Sequence, residues 1–191
     1  SKMINFEIQY TATHCIEWPK IKVAHNGDTV ADIVCDNDRF TFSLDQAEQN
    51  KIELHWYNKT QRHTKTQGGE IVEDQSFKMG LIRVDGILIE SWFFNDGHYE
   101  PKYFKGFIEN HQKSRTNFPL EEKLPSQNIW HFPGTYFLKE WKGDFWNWYY
   151  DTKIDKEVVK FMDKDPERIA KYRGTLDPCT DLVNKLKELI K

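Results

Sequence analysis

The chain is predicted to be mainly β: an antiparallel jelly-roll β-sandwich followed by a smaller aromatic and helical C-terminal part. Three observations carry this. From Asn5 to about Phe94, apolar residues recur at alternate positions, the period of a strand with one buried face. Short breaks rich in Gly, Asn and Asp interrupt the pattern every ~8–12 residues, as in sandwiches and barrels. Beyond Phe94, aromatic clusters and a polar stretch replace alternation, and helical spacing follows. The expected boundaries are 3–108 for the sandwich and 109–128 for a loop or linker. An aromatic strand-helix segment with C-terminal helices, 129–191, is expected to pack on the sandwich.

The elements follow in order. "FEIQY" sets Phe6, Ile8 and Tyr10 against Glu7 and Gln9. "FTFSL" repeats the device with Phe40, Phe42 and Leu44, and "KIELHWY" sets Ile52, Leu54 and Trp56 against Glu53, His55 and Tyr57. Between such runs, "HNGD", "DND", "DQAEQN" and "QGGE" read as turns, because Gly supplies positive φ and Asn and Asp bond to their own backbone. In "FKMGLIRVDGILIESWFF", Asp85-Gly86 admits either a two-residue hairpin turn or a glycine bulge within one long strand. The bulge is the reading favoured here, since the arms are short and no other turn residue supports a reversal.

The polar stretch from Glu109 to Asn128 carries two prolines and neither period. Phe132, Tyr136 and Leu138 suggest a further strand around Pro133-Gly134. Asp144 is a plausible N-cap for a helix presenting Phe145, Trp148 and Tyr149 and running to about Met162. Asp165-Pro166 and Asp177-Pro178 mark two further helix starts. The last helix carries Leu182, Val183, Leu186, Leu189 and Ile190 on one stripe.

Bulk properties exclude several functions. With 27 basic and 30 acidic residues, the net charge is −3 and no basic run stands out, so no nucleic-acid footprint is expected. No segment approaches the roughly 18 consecutive apolar residues of a membrane span. The N-terminus lacks the pattern of a secretory signal. Cys15, Cys35 and Cys179 fit neither a disulfide framework nor a metal clip. G-x-S-x-G, G-x-G-x-x-G and P-loop patterns are all missing.

Three chemistries remain. Hard cations take about six to eight oxygens from flexible loops, which makes Asp28, Asp36 and Asp38 the candidates for calcium, though Asp is also an ordinary turn residue. A sandwich polysaccharide hydrolase would need paired carboxylates. Glu53 shares its strand face with His55 and Tyr57, and Glu90 shares the parity of Trp92; were those strands neighbours, the two acids would line one surface. The aromatic content of 15% favours binding instead, with Tyr57, Trp92, Tyr99 and Tyr103 as ring platforms and His55 beside them.

The stretch "EIVEDQSFKMGLIRVDGILI" resembles the β-sandwich of calcium-dependent carbohydrate-binding modules. It is similar, too, to small uncharacterised proteins of marine bacteriophages, whose pattern ends in a W-x-F-x-G-x-Y segment and then F-W-x-W-Y. Here these are Trp130, Phe132, Gly134 and Tyr136, then Phe145, Trp146, Trp148 and Tyr149. The resemblance covers roughly Lys51 to Asp151 and transfers no calcium ligand residue by residue. It implies a non-catalytic binding or virion structural module with a glycan or protein partner, located in the virion or in host cytoplasm during assembly. Homo-oligomerisation through the C-terminal helix or a sheet edge is the structural alternative.

Overall fold

The computed structural model describes residues 2–89, 97–114, 120–125, 131–154 and 166–167. In chain order the strands are β1 (Met3–Thr13), β2 (Lys20–His25), β3 (Asp28–Val34), β4 (Arg39–Asp45), β5 (Gln49–Asn50), β6 (Ile52–Trp56), β7 (Thr64–Gln67), β8 (Glu70–Asp74), β9 (Ser76–Val84), β10 (Ile87–Leu88), β11 (His98–Pro101), β12 (Leu124–Pro125), β13 (Gly134–Phe137) and β14 (Trp141–Lys142). Among the described residues, α1 (Lys105–Lys113) and α2 (Phe145–Tyr149) join them, with a 3₁₀ turn at Gln61–His63.

Two sheets carry the antiparallel sandwich: a four-stranded one in the order β10-β9-β1-β4 and a six-stranded one in the order β12-β11-β13-β6-β2-β3. Alternation decides which faces are buried. Phe6, Ile8 and Tyr10 of β1, Phe40, Phe42 and Leu44 of β4, and Ile52, Leu54 and Trp56 of β6 all lie in the core. Each such side chain contributes about 1.5–3 kcal/mol through burial. Phe6 stacks on Phe42 at 5.1 Å between ring centroids, and Tyr10 on Phe77 at 5.6 Å.

Asp85-Gly86 is a hairpin turn rather than the expected bulge. Ile87 pairs with Val84, and both central residues have positive φ, 49° and 80°, as a type I′ turn requires. Asn26-Gly27 and Gly68-Gly69 turn the β2–β3 and β7–β8 hairpins with positive φ in the same way. The bulge in this strand lies earlier. Ile8 pairs with Ile82 but Tyr10 pairs with Met79, so Gly80 and Leu81 together oppose Gln9. A Cβ on Gly80 would sit 3.1 Å from the Gln9 carbonyl oxygen, which is why glycine occupies the bulge.

The stretch from Glu109 onward, expected as loop, contributes the end of α1 and then β12, which pairs with β11. The Gly134–Phe137 strand includes Tyr136, whereas Phe132 and Leu138 flank it.

By internal contacts the chain divides into two units. One comprises Ile4–Leu44 and Lys51–Glu140; the other comprises Ser1–Met3, Asp45–Asn50 and Trp141–Lys191. The second has its own aromatic core of Trp141, Phe145, Trp146, Tyr149 and Tyr150. Asp144 caps α2 as expected, accepting from the backbone N–H groups of Trp146 and Asn147 at 3.1 Å each. The helix continues as a π turn at Tyr150–Ile154. Pro166 and Glu167 are helical; the rest of the two expected C-terminal helices, with Cys179, lies outside the described residues.

Candidate functional site: an aromatic cleft over a buried lysine

The 3₁₀ turn, the β7–β8 hairpin, α1 and the chain entering β13 enclose a cleft of ≈ 620 Å³. Its apolar wall is Ile71, Phe104, Phe107 and Phe132, and Gln61, Asn110 and His131 add polar groups. Phe132 is the hub of the rings, with centroids 4.6 Å from Phe107, 5.0 Å from Tyr103 and 5.5 Å from Phe104. Phe107 and Ile71 are 38% and 64% exposed, so large apolar surface faces the opening.

A buried cation forms the floor. The Lys59 side chain is 1% exposed and its Nζ lies 2.6 Å from Asp74 Oδ1. The same ammonium donates to the Gln75 carbonyl at 2.6 Å and sits 5.7 Å from the Trp56 ring centroid. A buried ammonium needs this density of partners, because each unmatched charge costs several kcal/mol to desolvate. Burial pushes the Lys59 ammonium below its ordinary range, opposed by its bond to Asp74.

Asp74 is saturated in turn. Its Oδ1 also accepts from the Thr64 hydroxyl at 2.5 Å, and its Oδ2 lies 2.7 Å from His131 Nδ1. Burial disfavours its charge, but the bonds from Lys59, Thr64 and His131 outweigh burial and hold the carboxyl below its ordinary value. The next two residues continue the anchorage. Gln75 accepts from the Trp56 indole at 3.2 Å and donates to the Glu17 carbonyl at 2.9 Å. Ser76 donates its backbone N–H to the Thr13 hydroxyl at 3.0 Å, while that hydroxyl donates to the Asp74 carbonyl at 2.6 Å.

Beneath lies a strained turn. The Glu17 N–H donates to the Cys15 carbonyl at 2.8 Å across Ile16, whose φ is 69°. This is a γ-turn of the rare kind with positive φ, and a β-branched residue there is a true outlier. Nearby, the Thr60 backbone N–H donates to His63 Nδ1 at 2.9 Å, which leaves the ring proton on Nε2. That nitrogen is buried 3.3 Å from Glu17 Oε1 without the alignment of a hydrogen bond. Burial, then nearby Asp36, pushes the separate Cys35 thiol up to about 12, so it is an inert core residue.

The residues expected from sequence lie elsewhere. Glu53, His55 and Tyr57 do share one face, on the outside of the six-stranded sheet. There Glu53 meets Lys51 at 2.7 Å and His55 at 3.3 Å. Tyr57 is 46% exposed, donates to Asp32 at 3.0 Å and lies under Lys22 at 4.8 Å. Tyr99 points the other way: it is 1% exposed and donates to the Phe132 carbonyl at 2.6 Å, and burial pushes its phenol well up. Tyr103 joins the rings around Phe132 and donates to the Glu121 carbonyl at 2.8 Å. Glu90 and Trp92 lie outside the described residues.

Asp28 begins β3, and Asp36 and Asp38 follow its far end, about 20 Å away at strand rise. Asp38 is ion-paired with Arg39 at 3.1 Å. Among the described residues, no group of three or more His, Cys, Asp or Glu side chains is placed to hold a metal ion. No helix among them is long and apolar enough to cross a membrane.

No protein-family model matches the chain, and no curated protein does. Two solved structures are similar in fold. One is vCBM60 in complex with galactobiose, at a TM-score of 0.42 and 9% identity, covering 72% of this chain and 99% of that one. The other is a selenomethionine form of vCBM60, described as linking two families of calcium-dependent carbohydrate-binding modules by circular permutation. It has the same score and identity, and the match covers 91% of its length. These values are too low to carry residues or function across.

Proposed function

We propose that the protein is a non-catalytic binding module whose ligand is a glycan seated in the aromatic cleft. One observation supports this above the rest: half-exposed Phe107 and its neighbour Phe132 stand beside the amides of Gln61 and Asn110. Sugars present flat C–H faces and a rim of hydroxyls, and such a wall suits both; pockets of this kind take orientation from a few polar groups and affinity from apolar contact. Hydrolysis is disfavoured by the chemistry of the lining. Among the described residues its carboxylate is Asp74, already saturated by three donors, whereas a glycosidase needs two carboxyl groups free to act. Glu53, the other described candidate, is neutralised on the outer sheet face. The resemblance of the aromatic segments to phage proteins supports a place for such a module on a virion.

A glycan array probed with the full chain tests this, beside Phe107→Ala and Tyr57→Ala. Binding is expected for the wild type and for Tyr57→Ala. Phe107→Ala should lose about tenfold, the equivalent of ~1.4 kcal/mol. No glycan bound, reducing sugar released from any polysaccharide, or loss on Tyr57→Ala alone would overturn the reading.

A further inference from the structure

The aromatic cleft has a basic annexe. A second hollow of ≈ 580 Å³ shares Lys59, Gln61, Phe104 and Gly106 with it and is lined further by Arg62, Lys102 and Lys105. Among the described residues, four cations therefore border one recess and no carboxylate lines it, on a chain whose net charge is −3. Lys59 is committed to Asp74. Arg62 and Lys102 are exposed and make no ion pair among the described residues, and Lys105 reaches Glu109 only at 4.0 Å with 91% of its side chain exposed.

A second feature adds to the field. Helix α1 begins at this recess with Phe104 as its N-cap, which supplies no side-chain hydrogen bond, and no acidic residue occupies its first turn. Its first N–H groups and the positive end of its dipole consequently lack an internal counter-charge.

We propose that this annexe receives an anionic substituent, a sulfate ester or a carboxylate, of a glycan whose ring lies on Phe107 and Phe132. The inference rests on the binding function proposed above and narrows it to acidic glycans. The recess is compact, so it suits one or two anionic groups. A nucleic-acid backbone, by contrast, is held by a track of some 6–10 phosphate contacts, which an overall acidic chain does not offer.

The test uses the full chain and matched probes: a sulfated galacto-oligosaccharide with its desulfated form, and an oligogalacturonate with its methyl ester. An oligothymidylate of equal charge is the control. At low salt, at least one charged sugar is expected to bind about tenfold or more tighter than its neutral partner. Arg62→Gln combined with Lys102→Gln, both on exposed positions, should remove that preference while leaving the neutral sugar's affinity unchanged. Which charged sugar wins distinguishes sulfate from carboxylate. Equal binding within both pairs would overturn the inference but leave the glycan reading standing. Binding of the oligothymidylate as tightly as the sugars would overturn it in favour of a nonspecific polyanion surface. Failure of all four sugars would overturn the inference, and if no glycan on the array bound either, the binding function would fall with it.

Discussion

The outer face of the six-stranded sheet and the cleft beside α1 use the same residue types to opposite ends. On the sheet, Lys51 closes on Glu53, Tyr57 on Asp32, and His98 on Glu100 at 3.0 Å. Lys51 and Glu53, like His98 and Glu100, stand two residues apart along the extended chain and so on one face, while Tyr57 reaches Asp32 of β3 across the intervening β2. In the cleft, one cation is buried and saturated while Arg62 and Lys102 at the rim have no described counter-ion. A ligand approaching the sheet must displace existing partners; at the rim it displaces only water. Exposure alone therefore does not mark a binding surface, and the unspent charge is the better guide.

The largest expected effect is at the floor of the cleft. Lys59→Met leaves the Asp74 carboxylate and the Gln75 carbonyl short of a donor, and should cost about 3 kcal/mol in chemical unfolding, as for a broken buried pair. A cost below ~1 kcal/mol would show the floor to be no more committed than the sheet face.

Next is acid. Asp74 is held below its ordinary value, so the unfolded chain takes up its proton first as pH falls. Its contribution is whole above about pH 4 and drains away as pH drops through the folded value. Unfolding measured across pH 2–5 should show this slope, and it should shrink in Asp74→Asn; an unchanged slope would place the acid sensitivity elsewhere.

Smaller again is Ile16→Gly. It relieves the positive-φ turn beneath the cleft, a strain of ~1–3 kcal/mol, against ~0.5–1 kcal/mol of added chain entropy. Ile16 is 50% exposed and gives up little packing. A gain of about 1 kcal/mol in thermal or chemical unfolding is expected, and a loss would mean the turn is held by contacts to the isoleucine. The smallest effect belongs to the sheet: Glu53→Gln should change stability by less than ~1 kcal/mol and leave glycan affinity unaltered.

The sandwich was legible because large alternating residues such as Phe40, Phe42 and Leu44 leave one way to bury a strand. Asp85-Gly86 went to the wrong device although Asn26-Gly27 and "QGGE" announced the same turn chemistry. The true bulge was signalled too, since Phe77 and Met79 have one parity and Ile82 and Val84 the other, with Gly80 between. Helix α1 was not legible: "KGFIENHQK" buries no residue and Phe104 caps it without a side-chain bond. Tyr99 was misplaced because a four-residue strand shows too little alternation to fix its parity. The cleft itself left no motif. Lys59, Asp74 and His131 are separated by 15 and 57 residues, and only the sheet order brings them together.

The run Asp74-Gln75-Ser76 has one more consequence. Each of these three consecutive residues grips its own neighbours: Asp74 holds Lys59 and His131, Gln75 holds Trp56, and Ser76 holds Thr13. A slide of β9 by a single position would break every one of these bonds at once, so this tripeptide locks the alignment of the strand that crosses from hairpin to core. Its amides should be among the slowest in the chain to exchange with deuterium, and the recess above it should keep its shape in the empty protein.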